Sequence, residues 1–192
     1  MELGICIASL QPVDYKDALD RIAKLEKLLH TKFDFIEGIN NASLMEQLIK
    51  YYPCYTLGGL IHNPNKCMEE FTAACILAKK LTIPNLMFGG YQTRISIDVP
   101  YTEMFNKAQS YGLNLMLEPL KDTYPATLKE VLLEQHKHKK YAVHVCLKNT
   151  EINHDDLSLI YPSYIKNCHI SLALYLKYYK YIKHLKRVTL EL

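Results

Sequence analysis

Leu113-Asn-Leu-Met-Leu-Glu-Pro-Leu120 is the stretch on which the fold turns. It is an apolar run carrying one carboxylate, Glu118, with Pro119 directly behind it. It lies between a helical pattern at Tyr101–Tyr111 and the turn residues Lys121-Asp-Thr123. A run of that length and setting reads as a buried parallel strand. Alternation puts Leu113, Leu115 and Leu117 on one face and Asn114, Met116 and Glu118 on the other. The first face suits packing beneath helices. The second must find polar company for its acid, because a buried charge is either paired or holds a metal.

The same reading extends in both directions. Upstream, strands are expected at Leu3–Ser9, Phe33–Ile39, Tyr55–His62 and Asn85–Gly90. Between them lie amphipathic helices at Tyr15–Leu29, from Ser43 to about Lys50, at Lys66–Leu81 and at Pro100–Tyr111. Downstream, strands are expected at Tyr141–Lys148, Asn167–Ser171 and Arg187–Leu192, with helices from Thr127 to about Gln135, at Asp155–Tyr164 and at Leu174–Lys186. Ser43-Leu-Met-Glu46 and Thr127-Leu-Lys-Glu130 both have the spacing of a capping box, in which hydroxyl and carboxylate satisfy reciprocal orphan amides.

Strict alternation of strand and helix implies parallel strands joined by right-handed crossovers. Eight such strands close into an α/β barrel of the (β/α)8 TIM type. At 192 residues the chain is short for that fold, which typically takes roughly 250. The expected barrel is therefore one compact domain over residues 1–192, with short loops and no eighth helix. An open doubly wound sheet is the alternative.

Composition narrows the class further. With 49% hydrophobic residues the chain can bury a full core, and a net charge of +3 is a weak signal for an anionic partner. The six cysteines show no C-x-x-C or zinc-ribbon spacing and several sit in apolar runs, so reduced core thiols in a cytoplasmic setting are expected. No apolar run reaches membrane-spanning length and the first strand has no basic flank, which argues against insertion or secretion.

In a barrel of this type the chemistry sits where the strands end. Those ends are rich in ionisable groups: Glu37, His62, Glu118, Lys148, His169 and Glu191. The faces agree, since His144, Cys146 and Lys148 share one side of the sixth strand. Asn167, His169 and Ser171 share a side of the seventh, and Thr189 and Glu191 a side of the eighth. A single such residue would be unremarked surface chemistry, but six on convergent strands describe a polar pocket. Two carboxylates with imidazoles can bind a divalent metal or serve as acid and base beside a carbonyl. Tyr91 and Arg94 follow the fourth strand and could line the same pocket, Arg94 facing a substrate phosphate.

The pattern resembles the xylose isomerase-like TIM barrels, a superfamily of sugar isomerases and epimerases that also holds the endonuclease IV family. Leu117-Glu118-Pro119-Leu120 is similar to the fifth-strand motif of ketose 3-epimerases and hydroxypyruvate isomerase-like members, in which the glutamate is a metal ligand and acid/base. Leu57-Gly-Gly-Leu-Ile-His62 resembles their third strand, Cys168-His169-Ile170 the seventh-strand histidine ligand, and Thr189-Leu190-Glu191 the eighth-strand glutamate. The resemblance implies Glu118, His169 and Glu191 as metal ligands for Mn, Mg or Zn. It also implies an aspartate ligand ending the sixth strand, where this reading finds Lys148, with Glu151 at the position of a histidine three residues later.

The lead expectation is thus a sugar isomerase or epimerase acting by proton transfer on a small sugar, keto-sugar or sugar phosphate. Glu118 and Glu191 would move the proton, while His62 and His169 orient substrate or hold metal, and Glu37, Tyr91, Arg94 and His144 line the substrate side. Either a divalent metal is bound, or Lys148 replaces it as electrophile or Schiff base and no cofactor is needed. A degenerate barrel that binds a ligand or partner without turnover is the second class. Nucleic-acid processing is the third, from Lys177, Lys180, Lys183 and Lys186 on the last helix, although such a stripe is usually a solvated face. An apolar flank near the first and eighth strands would suit a homodimer.

Overall fold

A computed structural model describes residues 1–59, 66–89, 100–121, 123–138, 143–156, 158 and 165–192. In chain order the elements are β1 (Glu2–Cys6), α1 (Ile7–Leu10), α2 (Tyr15–Leu29), β2 (Phe35–Ile39), α3 (Ala42–Leu48), β3 (Cys54–Gly58) and α4 (Cys67–Lys80). They continue with β4 (Asn85–Gly89), α5 (Tyr101–Ser110), β5 (Asn114–Glu118), α6 (Leu128–Lys137) and β6 (Val143–Cys146). The last are α7 (Leu147–Ile152), β7 (Ile165–Ile170), α8 (Leu172–Ile182) and β8 (Arg187–Leu190).

All strand pairs are parallel, in the order β5-β4-β3-β2-β1-β8-β7-β6. The first and last strands of the chain are therefore hydrogen-bonded neighbours, which curls the sheet into a nearly closed barrel. The seam falls between β5 and β6, which lie side by side. There the buried Gln135 of α6 donates its amide to the Leu115 carbonyl at 3.4 Å, supplying a β5 acceptor with a partner that no strand provides.

The alternation read from β5 holds. Leu115 and Leu117 enter the large apolar cluster between strands and helices, with Ile5, Ile36, Leu57, Leu86, Val145, Ile170 and Val188. Met116 faces the other way and packs with Met87 of β4 in a separate small cluster inside the ring. Below them Asn114 donates to Asn85 at 3.0 Å, and the Phe35 ring fills the space beside Gly4. A β-carbon at Gly4 would lie 2.3 Å from that ring, so the side chain is absent there because the aromatic ring takes its volume.

Local chemistry explains most element ends and corrects several expected ones. Thr127 and Glu130 form the anticipated capping box, each side chain bonding the other's backbone amide at 3.2 Å. The other expected box is replaced: Asn41 caps α3, accepting from the Leu44 amide at 3.1 Å, and Ser43 lies inside the helix. β1 stops at Cys6 rather than Ser9, and β6 at Cys146 rather than Lys148, because a helical turn begins immediately in both places. Most of the helix expected at Asp155–Tyr164, and the end of the third strand at His62, lie outside the described residues. Among the described residues no helix is long and apolar enough to cross a membrane.

Candidate functional site

Parallel register sets which groups meet at the strand ends. Cys6 of β1 pairs with Glu37 of β2, His144 of β6 with Asn167 of β7, and Cys146 with His169. All six side chains are buried. They belong to the inward face of each strand, so closing the ring brings β2 and β7 to face each other across it.

Glu37 is the centre of this arrangement. Both its oxygens lie 2.7 Å from His169 Nε2. Asn167 donates a side-chain hydrogen to Oε2, and the Cys6 thiol donates to Oε1 at 3.5 Å. Burial alone would raise this carboxyl's pKa, but the charge of His169 and these hydrogen bonds hold it below the ordinary carboxylate value. Glu37 is therefore an ionised acid, about 1% exposed, with a full set of donors. Cys6, by contrast, is pushed up to about 12 by burial and by Glu37, and stays a thiol that donates.

The network assigns the proton positions of both imidazoles. Asn167 accepts from Thr189 Oγ1 at 3.0 Å, which fixes its amide orientation. Its second N–H then points at His144 Nδ1, 3.2 Å away, so His144 carries its proton on Nε2 and aims it at Glu118 Oε1, 3.5 Å off. His169 donates Nε2–H to Glu37, and its Nδ1 faces Glu118 Oε1 at 3.8 Å and Glu191 Oε2 at 3.9 Å. Asn149 of α7 donates to Glu118 at 3.3 Å, and Cys146 Sγ lies 3.8 Å from Glu191 Oε2.

Electrostatics make the consequence plain. Burial raises the Glu118 carboxyl, but His144 and His169 beside it outweigh that and bring it down to about 2. His169 behaves in the opposite sense: burial lowers it, yet Glu37 and Glu118 raise it well above the ordinary histidine value. Two carboxylates thus converge on one imidazole nitrogen and call for a positive charge between them. In the bare protein a proton on Nδ1 supplies it. His169 Nδ1 is buried without a hydrogen-bond partner, as expected of a nitrogen facing a ligand position, whereas His144 Nε2–H, aimed at Glu118 from 3.5 Å, falls just short of a hydrogen bond. Glu118, Cys146 and His169 each offer a donor atom within 4.8 Å of the others. The donor set fits a divalent metal, with Glu37 fixing the His169 tautomer from behind.

Solved structures share this architecture. The IolI protein crystallised with a bound zinc atom matches with a TM-score of 0.69 at 14% identity, over 100% of this chain and 89% of that one. D-allulose 3-epimerase from Methylomonas sp. matches with a TM-score of 0.69 at 17% identity, over 100% and 84%. The fold is that of the xylose isomerase-like TIM barrels. A protein of that description from Mycobacterium smegmatis, in complex with magnesium, gives a TM-score of 0.61 at 14% identity, over 88% of this chain and 74% of that one. No family model and no curated sequence matches the chain, so the likeness is one of structure.

Among the residues expected to form the site of a xylose isomerase-like barrel, Glu37, Glu118, His144, His169 and Glu191 come together. Glu191 is the most open of them, its side chain 35% exposed. Lys148 does not join them: β6 has already ended, and the lysine lies exposed on α7. Glu151, three residues further on in α7, is paired with Lys177 of α8 instead. The strand-end position where the resemblance implies an aspartate is occupied by Cys146, and the residue three further on is Asn149. His62, Tyr91 and Arg94 lie outside the described residues. Cys6, Cys146, Asn149, Asn167 and Thr189 were not singled out from sequence. For Cys146, Asn167 and Thr189 the signal was present in their shared inward parity with His144, His169 and Glu191.

Proposed function

We propose that this chain is a sugar isomerase or epimerase that moves a proton beside the carbonyl of a small keto-sugar, with a divalent metal held by Glu118, His169 and Glu191. The observation that carries the reading is the convergence of Glu118 and Glu191 on the unpartnered Nδ1 of His169, at 3.8 and 3.9 Å. Glu118, brought down to about 2 by His144 and His169, is ionised at neutral pH, as a metal-ligating carboxylate must be. Glu191, at the open rim, meets the substrate from solvent. One carboxylate removes the proton next to the carbonyl and the other returns it, on the opposite face for an epimerisation. His144 Nε2–H steadies Glu118 from below, and Glu37 keeps the His169 lone pair directed at the site. The metal supplies Lewis-acid polarisation of the carbonyl oxygen. The names of a D-allulose 3-epimerase and a D-tagatose 3-epimerase-like protein, both with this fold, support the substrate class. Cytoplasmic location and a homodimer across the flank of β1 and β8 belong to the same proposal, and sedimentation at micromolar concentration reads the second directly.

The test is solvent deuterium incorporation followed by proton NMR, with metal-loaded protein and a panel of ketopentoses and ketohexoses. Label should enter at the carbon adjacent to the carbonyl, and Glu118→Gln or Glu191→Gln should slow it by on the order of 100-fold or more. One observation favours a second reading, a barrel that binds without turnover: Cys146 stands where the resemblance implies an acidic ligand. A folded, metal-loaded protein that sugars stabilise against heat, yet that exchanges no proton with any of them, would establish that reading and overturn the first.

A further inference from the structure

Resting on the metal site just proposed, we infer that Cys146 is its fourth ligand, and that the site takes a thiolate-accepting ion of the zinc class in preference to magnesium or manganese. Glu118, His169 and Cys146 each offer a donor atom within 4.8 Å of the others, and a Glu191 oxygen lies 3.9 Å from His169 Nδ1 and 3.8 Å from Cys146 Sγ. The thiol is buried at the end of β6, paired in register with His169, and its sulfur lies within 4.8 Å of the donor atoms of both Glu118 and His169. Among the described residues the other such group, Cys6 with Glu37 and His169, uses the opposite imidazole nitrogen, which Glu37 already occupies at 2.7 Å. The cluster of Cys146 is thus the one left with an unengaged nitrogen.

The spacing discriminates between geometries. Around a tetrahedral zinc with bonds of about 2.0–2.3 Å, neighbouring ligand atoms lie roughly 3.3–3.8 Å apart. Around an octahedral magnesium with bonds of about 2.1 Å, adjacent ligands lie roughly 3.0 Å apart. The observed edges are 3.8 Å from Nδ1 to Glu118, 3.9 Å from Nδ1 to Glu191 and 3.8 Å from Sγ to Glu191. These three edges lie nearer the tetrahedral spacing than the octahedral one. Ligand softness points the same way, since sulfur is a poor donor to magnesium and manganese and a good one to zinc. Binding releases the thiol proton to solvent, so the metal takes the thiolate.

The experiment uses the full chain, stripped with a chelator and titrated with cobalt(II) as a spectroscopic stand-in for zinc. Wild type should show visible ligand-field bands together with a near-ultraviolet sulfur-to-cobalt charge-transfer band. Zinc should abolish both, and magnesium in large excess neither. Cys146→Ser should keep the visible bands and lose the charge-transfer band, with zinc held at least tenfold more weakly. Cys146→Asp should narrow the preference for zinc over manganese. X-ray absorption of the zinc-loaded wild type, expected to show one sulfur at about 2.3 Å, carries the test with no variant at all. Visible bands without the charge-transfer band in wild type, or a charge-transfer band that survives in Cys146→Ser, would overturn the sulfur ligand while leaving the metal site standing. Absence of any cobalt binding would overturn both.

Discussion

Replacing Glu37 by glutamine tests the interior network most directly, because it keeps the shape and removes the charge. Glu37 accepts from three donors: His169 Nε2–H, an Asn167 amide hydrogen and the Cys6 thiol. A glutamine offers one acceptor oxygen and an NH2 group, so at least one of those donors must face another donor in a site with almost no water. Leaving a buried donor unsatisfied costs about 1–3 kcal/mol. Breaking a buried charged pair by removing one partner costs about 3–5 kcal/mol. Here Glu118 still lies 3.8 Å from His169 and keeps it partly compensated, so about 2–4 kcal/mol is expected. For a chain of this length each kcal/mol shifts Tm by about 2–4 °C, giving a fall on the order of 4–16 °C by circular dichroism. The same substitution frees the His169 ring, and loss of such an outer carboxylate weakens metal binding by about 10–100-fold. A Glu37→Gln protein melting within a degree or two of wild type would refute the network. A lower Tm with unchanged zinc affinity would refute the orienting role and leave Glu37 purely structural.

Three further outcomes follow from single contacts. Lys148→Ala should leave zinc affinity and turnover within about twofold, since the side chain is exposed on α7; a tenfold loss in isothermal titration would return the lysine to the site. Gly4→Ala should destabilise by about 1–3 kcal/mol in urea unfolding, because its β-carbon would overlap the Phe35 ring, and Phe35→Leu in the same chain should recover part of the loss. Glu26 is buried near the end of α2, and the Lys32 ammonium and Phe33 amide overcome the burial that would raise its carboxyl, holding it below its ordinary 4.5. Its stabilisation is therefore present above that value and lost as pH falls through the lower folded one. Glu26→Gln should cost about 1–2 kcal/mol at pH 7, and the two melting curves should converge in acid; an equal gap at both pH values would refute the assignment.

How far the sequence could be read depended on whether a local rule controlled the outcome. The β5 alternation was legible because period-two packing between helices and a ring interior leaves no other place for Leu115 and Leu117. The ends of β1 and β6 were not. Cys6 and Cys146 cap α1 and α7 without a side-chain hydrogen bond to the helix backbone, so the usual serine, threonine or asparagine signal is missing where strand turns into helix. Apolar residues run straight through both junctions, and a strand reading continues past the true end. That error displaced the sixth-strand position from Cys146 to Lys148 and suggested an ammonium where the fold supplies a thiol. Asn167 was legible only as an inward-facing neighbour of His169, and its partner was out of reach. Its importance comes from Glu37, 130 residues away in sequence, and only ring closure brings the two together.

The three buried or half-buried acids also divide by how completely each is satisfied, and that division assigns their work. Glu37 has a donor for every direction it can accept from, so its charge is fixed and its free energy is spent on holding His169, Asn167 and Cys6 in place. Expected from its strand-end position to bind substrate, Glu37 is instead engaged by these donors, and on the proposed reading it positions His169. Glu118 has Asn149 and the more distant His144 on one oxygen, and Glu191 has a thiol contact and solvent. Both keep lone pairs directed at the His169 nitrogen that has no partner. An acid with unmet acceptor capacity, beside a nitrogen in the same condition, is what a metal or a proton in transit requires. On the proposed reading the saturated acid below and the unsaturated pair above form one device, in which the lower charge makes the imidazole a better donor to whatever the upper two receive.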